Sequence, residues 1–302
     1  MDDLSKGPDE GKGLPFEFRS QPVDEQLQEE NWKAIEAAIR QVPEAAPVAG
    51  INWSRTFLVA ASMIAVAFGI WYIGARTGTP QMSILRTGYG QVKDILLPDS
   101  SVVVLNSNST LRIQQQWTDG DSRQVWLEGE AYFQVQKKLS THQKFVVHTR
   151  DLDVEVLGTK FNINTRRQHS IVSLEEGKVR LSMHGNVESV IEKKTPMILR
   201  PGQVVVVDEA RQVKVNEEKD VTAHSGWTRN EFHFDNTSLR DVARLIEDTY
   251  DYKMEAKDTS LYGLSISGDL RAANVQELVK VLEVTLKLNM RIQNKTIYVT
   301  NP

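Results

Sequence analysis

VWLEGEAYFQVQ, residues 125–136, decides how the larger part of this chain is read. Leu127, Ala131, Phe133 and Val135 alternate with Trp126, Glu128, Glu130, Tyr132 and Gln134, which gives an extended segment one apolar and one mixed face. Around it, residues 83 to about 215 carry further short runs of the same kind. Turn signals separate them at Pro98-Asp99, Asp119-Gly120-Asp121, Gly158, Gly177, Gly185-Asn186 and Pro201-Gly202. SIVSLEEGKVRLSM, residues 170–183, reads as a hairpin about Glu175, Glu176 and Gly177. The pattern predicts an all-β domain over residues 83–215.

The grammar changes over residues 227–302. EFHFD is a strand. Leu239, Val242, Leu245 and Ile246 define a helix, and YKMEA and LSISG are strands. Val275, Leu278, Val279 and Leu282 define a second helix, and MRIQ and TIYVT close as a hairpin about Asn294-Lys295. The order βαββαββ predicts a small α+β domain. Residues 208–226, charged and nearly free of large apolar side chains, read as the connector.

On the other side of the β segment, TFLVAASMIAVAFGIWYIGA is a run of 20 uncharged residues, from Thr56 to Ala75, closed by Arg55 and Arg76. As a helix it is about 30 Å long, the thickness of a bilayer's hydrocarbon core. It predicts one transmembrane helix over residues 53–76, crossing between about Phe57 and Ala75, with a buried core helix as the alternative. Trp53, Trp71 and Tyr72 stand where aromatic rings favour the headgroup level. Arg40 and Arg55 on one side balance Arg76 and Arg86 on the other, so the charges set no orientation. Ala61, Ala65 and Gly69 form a small-residue stripe compatible with a homodimer.

Residues 1–52 form a tail. The first 22 residues, rich in Gly, Pro, Asp and Lys, are expected to be disordered. Asp24 is placed to cap a helix running to about Val42, where Pro43 stops it. Leu27, Trp32, Ile35, Ala38, Ile39 and Val42 fall in a stripe about 140° wide. A lone short helix is marginal in water, so this stripe asks for a partner. A helix lying on a membrane surface is the other reading, against which stands its acidic polar face. Residues 43–50, PEAAPVAG, read as a linker.

The 302-residue chain has a net charge of -4, and residues 1–55 hold 11 acidic against 6 basic side chains, so the sequence offers no concentrated basic surface for nucleic acid. With no cysteine it has no disulfide, thiolate zinc site or cysteine nucleophile. The six histidines, at 142, 148, 169, 184, 224 and 233, show no ligand spacing, so no metal or cofactor is expected. Glu128 and Glu130, two apart on one strand, share a face as a glycosidase pair would, and as strand neighbours on a solvated face routinely do. No glycine-rich phosphate loop and no Gly-x-Ser-x-Gly elbow is present, so no catalytic residues are assigned and the chain is not read as an enzyme. Gly158-Thr159, in VLGTKFNIN, is either a tight turn or a strained peptide open to attack by the threonine hydroxyl.

LLPDSSVVVLNSNSTLRI, RQVWLEGEAYFQVQKK, FVVHT, VEVLGTKFNIN, VSLEEGKVRL and LRPGQ resemble, in order, the blocks of the FecR family of anti-sigma regulators. EFHFDNTSLRDVARLIEDTY and LSISGDL, within 227–302, resemble the secretin/TonB short N-terminal-like domain that often follows them. The resemblance implies a solenoid- or sandwich-like β domain. It also implies a single-pass inner-membrane protein with its N-terminus in the cytoplasm and its C-terminal domains in the periplasm. By resemblance the tail would hold an extracytoplasmic-function sigma factor through Leu27, Trp32, Ile35 and Ile39. The periplasmic part would receive a signal from the signalling domain of a TonB-dependent outer-membrane transporter. Some relatives cleave themselves at a Gly-Thr pair, which here would be Gly158 and Thr159. The alternative is a membrane-anchored periplasmic scaffold or assembly protein that docks through its secretin-like domain.

Overall fold

A computed structural model describes residues 24–41, 53–76, 81–117, 120–184 and 196–302, the side chains of 53–56, 73–76 and Gln168 excepted. The disorder expected over residues 1–22, the 43–50 linker, Val42 with Pro43, and the Gly185-Asn186 turn lie outside these residues. The chain divides into two units, Met1–Thr77 and Gly78–Pro302.

In the first unit α1 spans Glu25–Arg40, and the Asp24 carboxylate accepts the Gln26 backbone N–H at 3.1 Å. Glu25 in the first turn and Arg40 in the last complement the helix dipole. A second helix, α2, spans Trp53–Arg76. The expected membrane crossing is corrected here: among the described residues no helix is long and apolar enough to cross a membrane.

The second unit begins with two seven-stranded sheets. One runs in the order β1 (Met82–Arg86), β4 (Thr110–Gln114), β5 (Arg123–Glu128), β7 (Phe145–His148), β8 (Leu152–Val156), β11 (Val179–Met183), β12 (Met197–Leu199). The other runs β14 (Val213–Glu217), β13 (Gln203–Val207), β10 (Ser170–Glu176), β9 (Lys160–Asn164), β6 (Glu130–Gln134), β3 (Val102–Leu105), β2 (Lys93–Leu96). Pairing is antiparallel except between β5 and β7. Val125, Leu127, Phe133, Phe145, Phe161 and Leu174 from both sheets make one core, with the Phe133 and Phe161 rings stacked 5.0 Å apart. Inside it the fully buried Arg123 guanidinium pairs with Asp99, donates to the carbonyls of Gln136 (3.0 Å) and Gln143 (2.8 Å), and lies over the Phe145 ring.

Two stretches that read as continuous hairpin or strand are arches between the sheets. Gly129, at φ +99°, carries the chain from β5 in one sheet to β6 in the other. Glu128 and Glu130 therefore do not share a face: Glu128 is exposed beside Arg112, whereas Glu130 is buried. Likewise β10 and β11 do not form a hairpin, because Gly177, at φ +96°, separates a strand that pairs with β9 and β13 from one that pairs with β8 and β12. The expected connector over 208–226 holds β14, in which Val213 and Val215 alternate with polar residues, and the start of a 3-10 helix over Val221–Arg229.

The rest of the chain is β15 (Glu231–Ser238), α3 (Leu239–Tyr250), β16 (Lys253–Ala256), β17 (Ser265–Arg271), α4 (Val275–Leu286), β18 (Asn289–Gln293) and β19 (Thr296–Thr300). β15 pairs with β17, and β16, β19 and β18 form a separate three-stranded sheet. Ser238 and Asn274 cap the two helices through the N–H groups of Asp241 and Glu277. Leu239, Val242, Ile246, Leu278, Leu282, Ile297 and Val299 fill a second core, distinct from that of the sandwich. Taken whole, the expected fold class of a transmembrane helix, an all-β domain and a small α+β domain is corrected to a mixed α and β chain with four sheets among the described residues and no membrane-crossing helix among them. Sheet partnership is settled by side chains that meet across long sequence distances, which local alternation does not encode.

Candidate functional site

The apolar stripe of α1 packs against nothing among the described residues. Leu27, Trp32, Ile35 and Ile39 are 61, 65, 48 and 66% exposed, and the helix has no buried residue. Four large apolar side chains in water on a capped helix cost free energy that covering them recovers, at roughly 25 cal/mol for each Å² covered. Chemically this is a binding face of the helix-in-groove kind.

Gly158 and Thr159 sit between β8 and β9, where the chain crosses from one sheet to the other. The Thr159 hydroxyl donates to the Lys178 carbonyl at 3.1 Å, and its peptide exchanges hydrogen bonds with Val135. The Gly158–Thr159 peptide is tightly enclosed. A Cβ on Gly158 would lie 2.6 Å from that of Lys137, and one on Gly177 would lie 2.8 Å from the Gly158 carbonyl oxygen. Leu157, Lys178, Arg180 and Ile198 line a groove of about 490 Å³ beside it.

A third region, which sequence reasoning missed, is the joint between the sandwich and the C-terminal domain. The buried Glu130 carboxylate accepts from Asn106 (2.7 Å) and Asn162 (3.1 Å), with Arg166 at 3.6 Å. The Trp227 indole N–H donates to Asn162 Oδ1 at 3.3 Å. The Glu175 carboxylate accepts both the Tyr132 hydroxyl (2.6 Å) and the Ser225 hydroxyl (2.5 Å). Burial first, and then that bond to Glu175, push the Tyr132 hydroxyl well above the usual phenol range. The 3-10 connector is thus fastened to the sandwich at two points. Beyond it a cleft of about 860 Å³ opens between the domains, lined by Glu130, Arg166, Trp227, Arg244 and Tyr250 among others. Arg167 spans that cleft, with Nη2 2.6 Å from Glu247 and Nε 2.7 Å from Asp248 on α3. Its partners are about 80 residues away in sequence, and the left-handed Arg167 backbone has no sequence signature; Trp227, a lone aromatic after a polar connector, was the one visible signal.

Of the six histidines, the fold brings two together: His148 Nδ1 (2.7 Å) and His184 Nε2 (2.9 Å) share the Asp153 carboxylate. Among the described residues no group of three or more His, Cys, Asp or Glu is placed to hold a metal ion.

An amphipathic helix with an unpacked stripe, in a chain that also carries two jointed domains, presents the makeup of a binding protein. The family model described as FecR protein matches residues 83–180, and that described as FecR, C-terminal matches residues 231–299, together more than half of the chain. The chain belongs to the FecR family. Two crystal structures of a proposed anti-sigma factor from Parabacteroides distasonis ATCC 8503 share its fold, each with a TM-score of 0.61 and 23% identity. They cover 74% and 73% of this chain and 100% and 99% of their own. No curated protein matches the chain.

Proposed function

We propose that this regulator holds an extracytoplasmic-function sigma factor on the stripe Leu27, Trp32, Ile35 and Ile39. In this reading its sandwich and C-terminal domain receive the signal from the signalling domain of a TonB-dependent outer-membrane transporter. The observation that carries the reading is the exposed stripe on a capped helix in a chain of this family. The Gly158–Thr159 peptide is where the chain is cut if it processes itself, and intact-mass measurement of the purified protein decides that by the presence or absence of fragments 1–158 and 159–302.

The functional test is a sigma-dependent reporter in cells that express the chain. Trp32→Ala is expected to uncouple the reporter from the transporter's ligand, while Trp126→Ala, on the sandwich, leaves coupling intact. A reporter that responds to ligand equally with wild-type and Trp32→Ala chains contradicts the assignment of the stripe.

A further inference from the structure

We propose that Arg167 is an interdomain latch: its guanidinium, projected from the sandwich, clasps the C-terminal end of α3 and holds closed the cleft between the two domains. Released, the C-terminal domain swings about the corner at Asn230.

Four observations converge on this. The last turn of α3 carries Glu247 and Asp248 and no basic residue, so negative side chains stand at the negative end of the helix dipole. Within its own domain Lys295 answers Asp251, and Arg244 answers Asp241. The cation for Glu247 and Asp248 comes from the other domain, and Arg167 Nη2 also reaches the Arg244 carbonyl at 3.4 Å. Second, Arg167 is held at φ 49°, ψ 44°, an uncommon backbone for a residue with a side chain, in the short turn between β9 and β10 that aims it at α3. Third, the two hydrophobic cores are separate, so parting the domains opens neither. Fourth, the connector is fastened to the sandwich through Trp227 and Ser225, while the Asn230 carbonyl accepts the Ala272 N–H of the C-terminal domain, which confines the pivot to the residues between. Asn230 itself is left-handed, at φ 58°.

The latch is built to release. Arg167 is 38% exposed, Glu247 42% and Asp248 23%, so water and salt reach the clasp. Across the cleft the sandwich also meets α3 at Gly90, whose N–H donates to the Thr249 carbonyl at 2.7 Å beside the Tyr250 ring.

The absence of cysteine makes the test clean. Thr141→Cys on the sandwich and Lys280→Cys on α4, both exposed, carry spin labels in the purified full chain, and the distance distribution between them is measured by pulsed electron resonance. A single narrow distribution is expected with Arg167 present, and a longer and broader one with Arg167→Glu. Adding Glu247→Arg and Asp248→Arg to that variant should restore the narrow distribution. An unchanged distribution in Arg167→Glu overturns the latch. So does a broadening that the charge reversal fails to correct, because the effect would then not come from the clasp. Unaltered far-ultraviolet dichroism in each variant shows that the domains themselves remain folded.

Discussion

Gly129→Ala is expected to destabilise the sandwich far more than an alanine at another left-handed glycine. At φ +99° the backbone alone costs an L-residue about 1–3 kcal/mol. The new Cβ would lie 2.3 Å from Ser109 Oγ, 2.7 Å from its Cβ and 2.8 Å from its Cα. Rotating the serine side chain relieves the first contact and neither of the others, so backbone must move, at a further cost of about 1–3 kcal/mol. Ser109 Oγ also accepts the Glu130 N–H at 2.9 Å and donates to the Ser107 carbonyl at 2.9 Å, and both bonds are strained by the shift. The expected total is roughly 2–6 kcal/mol, a large part of the stability of an ordinary domain. Gly120→Ala is the control: φ is +100° there, but nothing among the described residues lies within 4 Å of the added carbon. Urea unfolding of the two variants gives the difference, and amide hydrogen exchange over residues 125–136 shows where the loss falls. If Gly129→Ala lowers stability no more than Gly120→Ala, the arch is not the tight crossing described above.

Two further outcomes follow from the same packing. Asp99→Ala leaves the Arg123 cation buried without its counter-charge and should cost about 3–5 kcal/mol in a denaturant titration; a loss under about 1 kcal/mol would mean that the carbonyls around Arg123 suffice. The hydrogen bond that Asp269 accepts from His233 Nδ1, across β15 and β17, raises the His233 pKa above its ordinary 6.5. Its contribution is complete below about pH 6.5 and fades as pH rises through the raised folded value. Both partners are half-exposed or more, so screening keeps this under about 1 kcal/mol. Thermal melts between pH 5.5 and 8.5 should show a decline that is shallower in Asp269→Asn, and equal slopes would remove the pair from the account.

How far the sequence could be read depends on the range of the interaction that decides each feature. The alternation of Leu127, Ala131, Phe133 and Val135 identified the inward positions, since all four are buried. It did not reveal that the chain changes sheets at Gly129, because the inward residues keep the same parity on both sides of the arch. At Gly177 a signal was present: Val172 and Leu174 point inward before it and Val179 and Leu181 after it, a shift of phase that a tight hairpin need not have. The α1 stripe was legible because one helix carries the whole pattern. The uncharged run at 56–75 was read as a crossing from length and hydropathy, whereas among the described residues no helix is long and apolar enough to cross a membrane. The interdomain joint was illegible, since Glu130, Asn162 and Trp227, or Arg167 and Asp248, meet only once both domains are folded.

The most direct test of the α1 stripe as a sigma-factor site is a calorimetric titration of the purified full chain with each extracytoplasmic-function sigma factor of the same cell. A saturable one-to-one complex is expected, and Trp32→Ala should weaken it by at least about tenfold, as loss of a central aromatic anchor does. No complex with the wild-type chain, or equal affinity for the Trp32→Ala chain, would contradict it.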